Sequence, residues 1–143
     1  MVLEALAAIG LAGSIVQFVD FVSTLFSKTN ELRQSLDGND RDSLDLKTTA
    51  EILGRLSEGL DTTFETQSQD ETDILLLADG CKEVVDELLG VLEKLRHQPN
   101  NNRWRNFRQA LRYMWAKEKL EIMSKRVDHF RNQLGLSIQK LIL

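Results

Sequence analysis

Apolar side chains recur along the chain at the three- and four-residue spacings that mark amphipathic helices, but the pattern changes character from one stretch to the next. From Val2 to Phe26 it nearly loses its polar half: between Glu4 and Lys28 the single charge is Asp20. On a helix turning about 100° per residue, Ala7, Leu11, Ile15, Phe18, Val22 and Leu25 form one stripe, widened by Ala8, Val19 and Phe26. Gly10, Gly13, Gln17, Asp20 and Thr24 collect on the opposite side. That strip of small and polar residues predicts close contact with another helix. The stretch also reaches the roughly 17–25 residues that a bilayer-spanning helix needs. Periodicity alone leaves two readings open, a buried core helix and a helix able to enter a membrane once released. Gly10 and Gly13 in its interior predict release at modest cost.

The rest of the chain is more evenly amphipathic. The first helix is expected to end near Leu36, ahead of a turn at Asp37, Gly38, Asn39 and Asp40, since Gly and Asn supply the backbone angles that terminate helices. A second helix is expected from Ser43, with the stripe Leu46, Ala50, Leu53, Leu56, Leu60 and Phe64 and two weakening glycines, Gly54 and Gly59. Glu65 to Asp70 reads as a loop, and Ser68 with Glu71 fits a capping box. The third helix has the cleanest stripe: Ile74, Leu77, Ala78, Cys81, Val84, Val85, Leu88, Leu92 and Leu95. Pro99 and the three asparagines after it terminate that helix. Trp104, Phe107, Leu111 and Met114 or Trp115 then form an apolar face. The following stripe, Leu120, Met123, Val127, Phe130, Leu134, Ile138 and Leu141, is out of step with it by about two positions. The offset predicts a kink or break at Ala116 to Lys119, with Gly135 a weak point in the last helix. The fold class is therefore all-α, a single helical bundle of four to five helices over residues 1–143. The apolar finish at Leu141, Ile142 and Leu143 predicts a piece cut from a longer protein.

Composition refines this picture. With 42% apolar and 28% charged residues the chain has the makings of a globular core. Cys81, the one cysteine, cannot form an internal disulfide; it falls inside the third stripe and reads as a buried, inert thiol. Charge is divided along the chain. Through His97 there are eight Lys and Arg against nineteen Asp and Glu, and from Gln98 onward ten against three. The basic third either lies against its acidic neighbours or attracts anionic headgroups. In the second case Arg103, Arg105, Arg108, Arg112, Lys117 and Lys119 are the candidate headgroup contacts.

Little in the sequence points to chemistry. The glycines at 10 and 13 are not followed by the Lys and Ser/Thr of a phosphate-binding loop. His97 and His129 have no partner at metal-ligand spacing. The expectation is a non-enzyme with no catalytic residues, cofactor, metal or small-molecule substrate. The acidic two-thirds of the chain opposes nucleic acid.

Three stretches, EALAAIGLAGSIVQFVDF (Glu4 to Phe21), LADGCKEVVDELLGVLEKL (Leu77 to Leu95) and WRNFRQALRYMWAKEKLEIMSKRVDHFRNQL (Trp104 to Leu134), together resemble the HeLo-like domain found at the N-terminus of fungal NLR-type (STAND) receptors. It is related to the HeLo domain and to the four-helix bundle of the animal necroptosis executor pseudokinase. The resemblance implies a cell-death effector of innate immunity or heterokaryon incompatibility that oligomerises and permeabilises the plasma membrane with its N-terminal helix. It would be cytoplasmic at rest and membrane-bound when active, with anionic lipids and further copies of itself as partners. The inserting residues are then Leu3, Leu6, Ile9, Leu11, Ile15, Val16, Phe18, Val19, Phe21, Val22, Leu25 and Phe26, with Gln17 and Asp20 on the polar strip. The alternative is a soluble oligomerisation or adaptor module that recruits a partner without inserting.

Overall fold

The computed structural model describes residues 2–31, 46–66, 68–97 and 107–142, with side chains assigned over 6–26, 46–66, 68–97 and 107–140. Among the described residues there are five helices and no strand: α1 (Val2–Glu31), α2 (Leu46–Leu60), α3 (Gln69–Arg96), α4 (Phe107–Met114) and α5 (Lys117–Ile142). The expected turn at 37–40, the helix start at Ser43 and the terminator at Pro99 lie outside the described residues.

Local chemistry accounts for the helix ends that are visible. Ser68 has extended backbone angles, and its hydroxyl accepts the Glu71 N–H at 3.2 Å, the cap its spacing predicts. Asp70 and Glu71 stand in the first turn of α3 and Lys94 and Arg96 in the last, each sign facing the helix pole that favours it. The offset between the last two stripes is met by a break at Trp115 and Ala116. There Trp115 N–H donates to the Leu111 carbonyl at 2.8 Å, and Leu120 N–H donates to the Ala116 carbonyl at 3.1 Å. The break lets Trp115 turn inward, 5% exposed.

Side-chain contacts fix the helix directions. Phe18 meets Phe130 with ring centroids 6.5 Å apart, and Phe26 meets Trp115 at 6.1 Å, so α1 and α5 run antiparallel. Glu83 pairs with Arg126, and Glu87 with Lys119 at 3.5 Å, so α3 and α5 also run antiparallel and α1 and α3 run parallel. The α1/α3 pair is flanked by α2 and α5, while α4 packs on both at the end where Phe26 lies. Contact is close in two places. A methyl group on Gly80 would meet the Phe130 ring at 2.9 Å, and one on Gly59 would meet Ser14 Oγ at 2.9 Å.

Three expectations about packing need correction. Ala50, assigned to the inner stripe of α2, is exposed, and Thr49 is buried in its place. The Thr49 hydroxyl lacks a hydrogen-bond partner, at a cost of about 1–3 kcal/mol. Val91 is buried on α3 while Leu77 and Leu92 are only half-buried, a rotation of the stripe by less than one position. Phe64 lies past the end of α2.

Candidate functional site

The helix that the sequence singles out is the centre of the bundle. α1 touches α2, α3, α4 and α5, and Leu11, Ile15, Phe18, Val22, Leu25 and Phe26 are each at most 2% exposed. Burying side chains of this size contributes about 1.5–3 kcal/mol each, so the six together account for about 9–18 kcal/mol. Release of α1 therefore uncovers core that it shares with the other four described helices. Glycines in a helix interior cost about 1 kcal/mol each, a small term beside the core residues around them.

The opposite face of α1 carries the larger surprise. Gly10, Gly13, Gln17, Asp20 and Thr24, expected to pack against a helix, are all exposed, and nothing lies within 4 Å of a methyl group placed on Gly10 or Gly13. Beside them Leu6, Ile9 and Val16 are 58%, 50% and 40% exposed. The outward arc of the first turns is thus apolar and small, and it becomes polar only from Gln17 onward. Among the described residues Asp20 makes no ion pair. Val19 is buried and Phe21 half-buried with the core; the side chain of Leu3 lies outside the described residues. By length and composition, Leu6–Phe26 is the one described helix stretch able to cross a membrane.

The basic residues are distributed otherwise than expected. Arg108 is a correction: at 2% exposure it faces inward with Phe107, Ala110 and Leu111 and is not available to a headgroup in this fold. The two-turn α4 presents most of one side to the bundle end, and eight residues are too few for a spacing to reveal which side. Lys119 sits 3.5 Å from Glu87 and 4.7 Å over the Trp115 ring, and Arg126 pairs with Glu83. Part of the basic tail is thus neutralised by acidic α3. Arg112 and Lys117 are exposed; Arg103 and Arg105 lie outside the described residues. Of the expected contacts, Arg112 and Lys117 stand toward the Phe26 end of α1, away from Leu6 and Ile9, while exposed Lys140 lies in the last turn of the antiparallel α5, toward the other end. The 21-residue stretch separates the two ends at 1.5 Å per residue, about 30 Å.

One further link joins α5 to α1: the Arg131 guanidinium donates to Ser23 Oγ at 2.7 Å while also facing Asp128 at 3.3 Å. Cys81 is fully buried, and burial pushes its thiol up to about 12 despite the opposing pull of Arg126. Lys82 is held above its usual value by its hydrogen bond to Asp61. Among the described residues no cluster of three or more His, Cys, Asp or Glu could hold a metal ion.

The architecture is an all-α bundle built around one long apolar helix, and the comparison with known families gives it a class. The SesA family, described as the N-terminal domain on NACHT NTPases and P-loop NTPases, matches residues 12–132. The chain belongs to the SesA family. The match agrees with the resemblance on an NLR-type N-terminal domain and names SesA where the residues resemble HeLo-like domains. No curated protein and no solved structure matches the chain.

Proposed function

We propose that this domain is the membrane-active effector of an NLR-type receptor, kept silent in the cytoplasm by the burial of α1 and acting at anionic plasma membrane after self-association, as the HeLo-like resemblance implies. The observation that carries the reading is the outer face of α1. Leu6, Ile9 and Val16 are exposed on one face of α1, and they sit on the one described helix stretch both long and apolar enough to cross a bilayer. The arrangement of charge supports an orientation. With its N-terminus leading, α1 would cross the roughly 30 Å hydrocarbon core while Arg112 and Lys117, at its other end, stay with the headgroups. Lipid replaces the apolar environment that α1 loses, which offsets the cost of leaving the bundle.

A second reading, a soluble adaptor that never inserts, is favoured by the central position of α1, because the bundle cannot open and keep its surfaces. Dye release from anionic and neutral liposomes, with the domain fused to a forced oligomer, separates the two. Removing residues 1–26 is unsuitable because it removes the core. The triple variant L6E/I9E/V16E changes only exposed positions and leaves the bundle folded. The proposal expects it to lose at least tenfold in release from anionic liposomes, while L76E, a charge at an equally exposed leucine on α3, retains full activity. A folded triple variant that releases dye as well as the parent sinks the membrane reading.

A further inference from the structure

Among the described residues a part of the bundle surface is left unfilled. Between the first turns of α2 and the last turns of α3 lies a groove of about 530 Å³. Its floor is Leu46, Ala50, Leu89, Leu92 and Leu95, and its rim is Lys47, Glu93 and Arg96. Leu46 and Leu92 are half-buried and Ala50 is exposed, flanking the buried stripes of Thr49 and Leu53 on α2 and Val91 and Leu95 on α3. Among the described residues nothing lies across this apolar lining, which leaves room for a small apolar ligand.

Size and charge decide what that is. A stable protein partner buries about 20–30 residues on each side, and this groove has eight lining residues. Its volume falls within the roughly 300–1,000 Å³ of small-molecule sites, which are apolar with a few polar groups that fix orientation. The rim has two cations against one carboxylate, and that carboxylate, Glu93, is turned to the His97 ring at 2.8 Å. In a stretch of chain where acids outnumber bases by more than two to one, Lys47 and Arg96 together at the mouth of a leucine-lined groove favour an anion at the end of an apolar tail.

We propose that the α2/α3 groove binds a single-chain anionic amphiphile, a free long-chain fatty acid. The acyl chain lies on Leu46, Leu89, Leu92 and Leu95, and the carboxylate is held between Lys47 and Arg96. This site is distinct from α1 and stands whether or not α1 enters membranes.

The test is isothermal titration calorimetry of the full chain with laurate and with dodecyltrimethylammonium, both below their micelle-forming concentrations. Laurate is expected to bind one per chain and at least tenfold more tightly than the cation. Ala50→Trp, at an exposed position, fills the groove and is expected to weaken laurate at least tenfold with the circular dichroism spectrum unchanged. K47E/R96E is expected to remove the preference for the anion while retaining affinity for the tail. Absence of laurate binding, equal affinity for the two amphiphiles, or undiminished binding by A50W each overturns the proposal.

Discussion

α1 and α3 hold equivalent places in the bundle. They run parallel, touch each other, and are both flanked by α2 and α5. Their inner faces are alike, Leu11, Ile15, Phe18 and Val22 on one, Ile74, Ala78, Cys81, Val85 and Leu88 on the other. Their outer faces differ. α3 shows water mostly charge, Asp79, Glu83, Asp86, Glu87, Glu93 and Lys94 beside Leu76, whereas α1 shows Leu6, Ile9, Gly10, Gly13 and Val16 in its first turns and Gln17, Asp20 and Thr24 after them. The same packing role is thus met with two kinds of exterior, so the apolar outside of α1 is not a requirement of the fold.

The comparison can be broken or sharpened by experiment. The largest effect is expected on the inner face of α1. L11E/I15E places two charges where exposure is 1% and 0%, with no partner to offset several kcal/mol of desolvation each. Loss of the folded state by circular dichroism is expected, whereas the three outward glutamates of the variant above leave the melting curve within about 0.5 kcal/mol per site.

On α3 the buried thiol gives a pH effect. Cys81 titrates near 9.0 when unfolded and at about 12 when folded, so between these values the unfolded chain has lost a proton that the folded chain keeps. Stability contributed by the neutral thiol is complete below pH 9 and falls as pH rises from 9 towards 12. Denaturant melts of the parent and C81A should show a steeper alkaline decline in the parent. At pH 8 the folded thiol should react with a disulfide reagent about a thousandfold more slowly than a free cysteine.

The smallest effects come from two glycines of α3. Gly80→Ala forces the Phe130 ring aside and is expected to cost about 1–3 kcal/mol. Gly90→Ala meets nothing and is expected to stabilise by about 0.5–1 kcal/mol. Equal shifts in denaturant midpoint for the two would mean that α3 and α5 are not in close contact.

Much of this was legible in the residues because repeated spacing averages out local noise. The long stripe of α3, the break before Lys117, the Ser68 cap and the inert Cys81 all follow from patterns that extend over many turns or from side-chain chemistry with one geometric solution. What was not legible shares a different cause. A strip such as Gly10, Gly13, Gln17 and Asp20 suits both a neighbouring helix and water, and only the arrangement of the other helices decides. Arg108 is buried because α4 closes the end of the bundle, a relation between distant segments that eight residues cannot encode in their spacing. The open α2/α3 groove was read as core for the same reason: Leu46, Ala50 and Leu92 carry the right periodicity, but nothing in the described fold reaches across to cover them.

The link between Ser23 and Arg131 spans 108 residues, and this has a consequence during synthesis. Of the five described helices α1 is made first, and the helix that completes its surroundings is made last of them. At about 5–20 residues per second, the most apolar segment of the protein waits on the order of ten seconds for α5. During that interval it is a nascent hydrophobic helix without the partners that bury it, open to every factor that recognises such segments, and how quickly translation reaches Arg131 determines how long that exposure lasts.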